Sequence, residues 1–169
     1  MAATTDRADS SRAHQGLPCR LVDSDCYHER LVKQLVQRSD AERQSLQSAI
    51  AAELARDSGV VFAYLFGSFL EERPFHDIDV AVYLATSDAR QQMEIAVRLS
   101  DTLTELTRVP VDVSVLNDAP IPFAFHAMHG DLLTCRDDDA LTRVLAYTMS
   151  RYFDLEPILR RSFREVYEP

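Results

Sequence analysis

The sequence of 169 residues has no tryptophan, only four glycines and only three cysteines. So few glycines exclude collagen-like and glycine-rich low-complexity chains. Cys19, Cys26 and Cys135 are odd in number and lack CxxC spacing, which argues against a disulfide framework or a zinc site and favours free thiols. No stretch reaches the ~20 consecutive apolar residues of a membrane span, and the N-terminus lacks a secretory apolar segment. We therefore expect a cytoplasmic protein without a membrane segment.

Basic residues are also in short supply. Against 27 Asp and Glu there are 18 Lys and Arg, and the formal net charge is −9. Such a surface repels a phosphate backbone, so we expect no direct binding of nucleic acid. A small anionic substrate remains compatible with this charge, because a divalent cation can bridge carboxylates to phosphates. A basic protein partner would also suit it.

The chain is long enough for one compact domain. Hydrophobic residues make up 46% of it, which is sufficient for a core. Residues 1–24 are polar and aperiodic, and we expect them to form a flexible N-terminal extension. Residues 25–169 are expected to form a single domain, with its core at about residues 40–135 and a C-terminal helical part at about residues 137–168.

Hydrophobic periodicity predicts helices and strands in alternation. A capping box formed by Ser39 and Glu42 begins a helix, and Gly59 is expected to end it. The runs VVFAYLF, IDVAVYL and VDVSVL predict three strands. A long helix between the second and third strands is expected to have an apolar face made of Met93, Ala96, Val97, Leu103 and Leu106. A short helix, a short strand and a long helix that Pro157 bends or restarts complete an α+β (mixed α/β) domain with a small mixed sheet flanked by helices.

The second predicted strand begins with two acids, after a loop that follows Gly67 and Ser68. Alternate side chains of a strand share a face, so Asp77 and Asp79 point the same way. Such neighbouring carboxylates repel each other, and a divalent cation removes the repulsion. Asp112 lies in the third strand, where an acid among β-branched residues is otherwise unusual. If the third strand pairs beside the second, three carboxylates converge.

Three converging acids would hold two Mg²⁺ ions. One ion would lower the pKa of an attacking hydroxyl, and the other would bind a triphosphate and stabilise the leaving pyrophosphate. Gly67 would let the backbone approach the phosphates closely, and Ser68 would offer its hydroxyl and N–H to them. The pattern therefore predicts nucleotidyl transfer, with Asp77, Asp79 and Asp112 as both catalytic and metal-binding residues.

These residues resemble the signature of the nucleotidyltransferase superfamily that includes DNA polymerase β: Gly-Ser, a spacer, Asp-x-Asp and a later strand Asp. More narrowly, the chain resembles the minimal nucleotidyltransferase (MNT) antitoxins encoded beside HEPN-domain ribonuclease toxins. The segments VLNDAPIPFAFHAMHGDLLTCRDDD and YTMSRYFDLEPILRRSF extend this likeness, which covers about residues 40–168. The spacer Phe69–His76 is shorter than is usual in the family, and Glu71 stands where many members carry an arginine.

The resemblance implies a polymerase-β-like fold and ATP as the donor. It also implies transfer of AMP to a tyrosine of a HEPN partner, which silences that partner's ribonuclease activity. Two alternatives remain open. A small-molecule nucleotidyltransferase of the aminoglycoside-modifying type would share the fold and the metal site, although the chain is short for a second, acceptor-binding domain. A non-catalytic antitoxin would act by binding alone, with the acids as relics.

Overall fold

A computed structural model of the chain describes residues 35–71 and 73–167. In chain order its elements are α1 (Asp40–Arg56), β1 (Val60–Phe66), a short 3₁₀ helix (Gly67–Leu70), β2 (Ile78–Leu84), α2 (Ala89–Thr107), β3 (Val111–Val115), α3 (Ile121–Ala127), β4 (Asp131–Cys135) and α4 (Asp138–Tyr167). Two of the three strands predicted from apolar runs coincide with β1 and β2, and the third ends one residue earlier than predicted. The extension predicted at residues 1–24 lies outside the described residues, and the predicted domain bounds stay a prediction.

The strands form one mixed sheet in the order β3-β2-β1-β4. β1 pairs antiparallel with β2 and with β4, whereas β2 pairs parallel with β3. A parallel pair needs a long crossover connection, and α2 supplies it here. The predicted α+β class with a small mixed sheet and flanking helices is therefore confirmed. Within the described part of the chain, no helix is long and apolar enough to cross a membrane.

The larger apolar core lies on one face of the sheet, which we call the helix-covered face. Ile50 and Leu54 of α1 and Leu99 and Leu103 of α2 pack there against alternate residues of three strands, and all four are 0–2% exposed. The buried strand residues of this core are Val60, Ala63, Leu65, Ile78, Val80, Val82, Leu84 and Val111. Burying one large aliphatic side chain contributes roughly 1.5–3 kcal/mol, so this face carries much of the stability.

The two ends of α1 differ in how well they were predicted. The capping box is present, because Ser39 N–H donates to Glu42 Oε2 at 2.8 Å and Glu42 N–H donates to Ser39 Oγ at 3.4 Å. The prediction that Gly59 ends the helix is wrong. The helix ends at Arg56, and an extended Asp57 follows as its C-cap. The Asp57 carboxylate accepts the Gly59 N–H at 2.8 Å, so a side chain makes this turn without a left-handed glycine.

The buried face of α2 also consists largely of other residues than those predicted. Asp88 caps the helix by accepting hydrogen bonds from the N–H groups of the first turn. Of the five residues predicted to face inward, Met93, Val97 and Leu106 are 66%, 54% and 47% exposed. The stripe that is buried consists of Gln92, Ala96, Leu99, Leu103 and Thr107. Polar Gln92 and Thr107 are accommodated because each hydrogen-bonds to backbone carbonyls at an end of the helix.

A second core lies on the opposite face, which we call the acid-bearing face. The strand residues Phe62, Tyr64, Phe66 and Ala81 pack there with Leu116 and with residues of α3. The first turns of α4 cover part of it through the partly buried Leu141, Val144 and Leu145. α4 then runs without interruption past Pro157. Of the two predicted effects of Pro157, a bend or a restart of the helix, the restart is therefore wrong.

Candidate active site

Two of the three predicted acids lie side by side. In the parallel pairing of β2 with β3, Asp112 is the register partner of Asp79. Neighbouring strands are about 4.8 Å apart, and register partners point to the same face of a sheet. Both carboxylates therefore stand together on the acid-bearing face. The condition on which the predicted site depended, that the third strand pairs beside the second, is met.

The start of β2 sets this register. The N–H of Ile78 donates to the carbonyl oxygen of Pro110 at 2.9 Å, just before β3 begins. Asp77 immediately precedes Ile78 and is half-buried. The alternation of β2 gives Asp77 the same side as Asp79, one step before the strand begins. Its contribution to the site stays a prediction.

The turn after β1 is fitted closely to Asp79. Phe66, the last residue of β1, is the register partner of Asp79, and the chain then turns at Gly67 with φ 79°. A Cβ added to Gly67 would lie 3.0 Å from Cγ of Asp79 and still closer to Oδ2. Glycine is needed here for two reasons: the left-handed φ and the contact between backbone and carboxylate. Ser68 is next, inside the 3₁₀ helix, where its carbonyl accepts the N–H of Glu71 at 3.1 Å.

A cleft of about 480 Å³ opens over the paired acids. This volume is within the range of small-molecule sites. Its described lining residues are Phe66, Asp79, Met93, Ala96, Val97, Ser100, Asp101, Asp112, Val113, Ser114 and Phe123. Gly67, Ser68 and Asp77 are not among them. Two aromatic rings form one wall: Phe66 and Phe123 meet edge to face, with ring centroids 5.7 Å apart.

Among these lining residues, the sequence predicted only Asp79 and Asp112 as site residues, so both aromatic residues and Asp101 were missed. Phe66 was treated only as part of an apolar run, and its position beside Asp79 depends on the β1–β2 pairing. Phe123 belongs to α3 and Asp101 to α2, and each reaches the cleft only through packing of its helix. The sequence carries no spacing signal that could have placed either residue near Asp112.

A pair of carboxylates can form part of a ligand set for Mg²⁺. Within residues 35–71 and 73–167, no group of three or more His, Cys, Asp or Glu side chains is arranged to hold a metal ion. Mg²⁺, however, is usually bound by one or two carboxylates and completes its octahedron with water and substrate phosphates. Asp79 and Asp112, beside an open cleft, fit that pattern. The predicted three-acid site with two ions stays a prediction.

Two histidines at helical spacing near this face pack against aromatic rings. His126 meets the ring of Phe66 edge-on, with centroids 6.0 Å apart. His129 Nδ1 lies 2.7 Å from the carbonyl oxygen of Phe125, and its ring lies 4.2 Å from that of Phe125. Their spacing is therefore accounted for by packing and hydrogen bonding.

Comparison with known families supports the chemistry suggested by this geometry. Residues 48–139 match the family model described as Polymerase beta, Nucleotidyltransferase, which is more than half of the chain. The chain belongs to this family. The matched segment contains Gly67, Ser68, Asp77, Asp79 and Asp112. No match was found among curated protein sequences.

Solved structures give the same fold. The chain is 26% identical to one in the MntA–HepT toxin–antitoxin complex, with 73% of this chain and 98% of that chain covered and a TM-score of 0.53. A complex of tri-AMPylated Shewanella oneidensis HEPN toxin with MNT antitoxin matches at 23% identity, 73% and 98% coverage and a TM-score of 0.55. A toxin–antitoxin structure with AMP-PNP matches at 23% identity, 70% and 97% coverage and a TM-score of 0.56. The likeness to MNT proteins is thus confirmed.

Proposed function

We propose that this chain is an antitoxin that transfers AMP from ATP to a tyrosine of a HEPN-domain toxin and so silences its ribonuclease activity. The observation that carries the proposal is the pairing of Asp79 with Asp112 against the Gly67 turn, in a member of a nucleotidyltransferase family. Two related structures support the donor and the acceptor. One contains a tri-AMPylated HEPN toxin with an MNT antitoxin, and the other contains AMP-PNP.

Each site residue has a role in this proposal. When bound, Mg²⁺ supplies positive charge that offsets the phosphates and lowers the pKa of the acceptor hydroxyl. Asp79 and Asp112 would hold the ion from adjacent strands, with Asp77 as a further ligand. Asp112 also helps to remove the proton of the acceptor hydroxyl, whose oxygen attacks the α-phosphorus while pyrophosphate leaves. Gly67 gives the phosphates room, and Ser68 donates hydrogen bonds to them.

The charge of the cleft favours a basic acceptor surface. Three acids, Asp79, Asp101 and Asp112, line it, and none of its described lining residues is Lys or Arg. The whole chain carries a formal charge of −9. A protein whose acceptor tyrosine is surrounded by basic residues would be steered to this cleft and held there. Both proteins would act in the cytoplasm.

The test is a transfer reaction with purified components. The chain is incubated with ATP labelled at the α-phosphate, Mg²⁺ and the HEPN protein encoded beside it, and label on that protein is measured. We expect labelling by the wild type, none without Mg²⁺, and none with a partner whose acceptor tyrosine is changed to phenylalanine. An absence of label while the two proteins still bind each other would refute the transfer.

The same reaction separates the alternatives. An Asp77→Ala/Asp79→Ala variant that binds the partner should fail to label it and fail to protect cells from the toxin. If that variant protects cells as well as the wild type does, the chain is an antitoxin that acts by binding alone. Label on an aminoglycoside without any partner present would instead indicate a small-molecule nucleotidyltransferase.

A further inference from the structure

The loop that joins the 3₁₀ helix to β2, which we call the linking loop (described at residues 71 and 73–77), lies between two parts of the candidate site. Gly67 and Ser68 stand just before the loop, and Asp77 is its last residue. The loop contains no helix or strand among its described residues. Its conformation therefore depends on individual contacts and not on a helix or strand of its own.

Arg43 of α1 makes this connection through hydrogen bonds. Its guanidinium donates to the carbonyl oxygen of Phe69, which precedes the loop, and to that of Arg73 within the loop at 2.8 Å. Its Nε donates to the carbonyl oxygen of Arg38 at 3.3 Å. A planar guanidinium can serve several acceptors in fixed directions, which an ammonium cannot do. One half-buried side chain thus links three backbone segments.

The same guanidinium lies against two rings. Phe69, which precedes the loop, and Phe75, near its end, are each 1% exposed, and their rings meet edge to face with centroids 4.9 Å apart. The Cζ atom of Arg43 is 5.5 Å from the centroid of the first ring and 4.8 Å from that of the second. Cation–π contacts at such distances are stabilising, the more so when partly desolvated. Arg43 therefore contacts both the 3₁₀ helix before the loop and the end of the loop.

A second tether fixes the end of the loop. Val36 and Phe75 form a mutual backbone pair, with N···O distances of 2.7 and 3.0 Å. Phe75 is thereby held two residues before Asp77. On its exposed side the loop carries an ion pair between Glu71 and Arg73, and such surface pairs contribute little.

From these contacts we propose that Arg43 is a positioning residue for nucleotidyl transfer: it holds the Gly67–Ser68 turn and Asp77 in place beside Asp79. The inference rests on the proposed function. Arg43 is not among the described residues that line the cleft, so it acts through the loop. Its loss should weaken nucleotide binding more than it slows the bound complex, because the turn that meets the phosphates becomes mobile.

Three variants test this role. Arg43→Met keeps an unbranched stem against the two rings and removes all the donors. Arg43→Lys keeps the charge and leaves one group that can reach only part of the acceptors. Arg56→Met is the matched control, since Arg56 lies on the same helix, is 76% exposed and pairs only with Glu53 among the described ion pairs.

The first experiment needs no nucleotide. A glutamate-specific protease is applied, and the rate of cleavage after Glu71 in the linking loop is compared with the rate after Glu94 in α2. For Arg43→Met we expect cleavage after Glu71 to rise about ten-fold relative to Glu94, the size of one lost hydrogen bond to a charged group. Arg43→Lys should be intermediate and Arg56→Met unchanged. An equal rise at both sites, or none, would overturn the local role.

The second experiment measures the KM for ATP, the kcat of AMP transfer and the binding of AMP-PNP with Mg²⁺. Arg43→Met should raise KM and weaken AMP-PNP binding about ten-fold, as supporting residues of a site commonly do, with a smaller change in kcat. A loosened loop with unchanged KM and AMP-PNP binding would reduce Arg43 to a structural residue and contradict the inference. If the wild type itself neither binds AMP-PNP nor transfers AMP, the proposed function fails. The cleavage result would then show only that Arg43 stabilises the linking loop.

Discussion

The two faces of the sheet are made by alternate residues of the same strands, yet they differ in charge, in exposure to solvent and in what covers them. On the helix-covered face, Val80 and Val111 are 0–1% exposed and are packed under α1 and α2. On the acid-bearing face, their neighbours Asp79 and Asp112 are half-buried and exposed, respectively, and lie under an open cleft. The comparison indicates that the larger core and the proposed chemistry are separable, because that core and the paired acids lie on opposite sides of a shared backbone.

The largest expected effect comes from disturbing the helix-covered face. Leu103→Ala, at a fully buried position of α2, should lower the free energy of unfolding by about 2–5 kcal/mol. Urea denaturation measures it. Leu106→Ala is the matched control on the same helix, at a position that is 47% exposed, and should change stability by no more than about 0.5 kcal/mol. Equal losses in the two variants would contradict the assignment of the inward face.

A change on the acid-bearing face should separate activity from stability. Asp112→Asn removes a proposed metal ligand, so AMP transfer should fall at least about 100-fold, since even residues that merely support a ligand contribute 10–100-fold. Like charges directly opposite on neighbouring strands are destabilising, so the free energy of unfolding should be unchanged or up to about 1 kcal/mol higher.

The control for this variant is Asp118→Asn, which removes one carboxylate from an exposed position after β3. It should leave transfer unchanged. A clear loss of stability in Asp112→Asn would argue against two separable faces, because the acid would then be part of the structural framework. Transfer and urea denaturation are measured on the same preparations.

The smallest expected effect is a pH-dependent one on the helix-covered face. Burial acts to raise the pKa of Asp57, but hydrogen bonds from Arg98 and the Gly59 N–H, with the charges of Arg98 and Arg136, outweigh it and lower the pKa below 3.8. The resulting stability is present above pH 3.8 and is lost as pH falls through the lower, folded-state pKa.

Asp57→Asn should therefore be about 1–2 kcal/mol less stable than the wild type at pH 7. The difference should shrink as pH falls below 3.8, because the wild-type carboxyl then becomes protonated and loses its charge, and the asparagine side chain has no charge at any pH. Chemical denaturation of both proteins across this pH range measures it. A difference that stays constant with pH would mean that the Arg98–Asp57 contact, at 2.5 Å, does not depend on the charge of Asp57.

Local patterns in the sequence were sufficient for most of the elements. The continuous apolar run of β1, the alternation of β2 and the capping box at Ser39 each depend on neighbours within a few residues, and each is found where it was predicted. The errors came where a distant group intervened. The end of α1 depends on the Asp57 carboxylate, and the inward stripe of α2 depends on how that helix lies on the sheet.

By itself, the sequence determined the fold class, the family and the identity of the candidate acids, because these follow from short-range periodicity and from motif residues. Only the tertiary structure decided that Asp112 stands opposite Asp79, that Gly67 touches that carboxylate, and that Arg43 holds the linking loop. The physical reason is the same in each case. Strand register and helix docking are set by the packing of whole elements. The sequence spacing between residues far apart in the chain does not predict that packing.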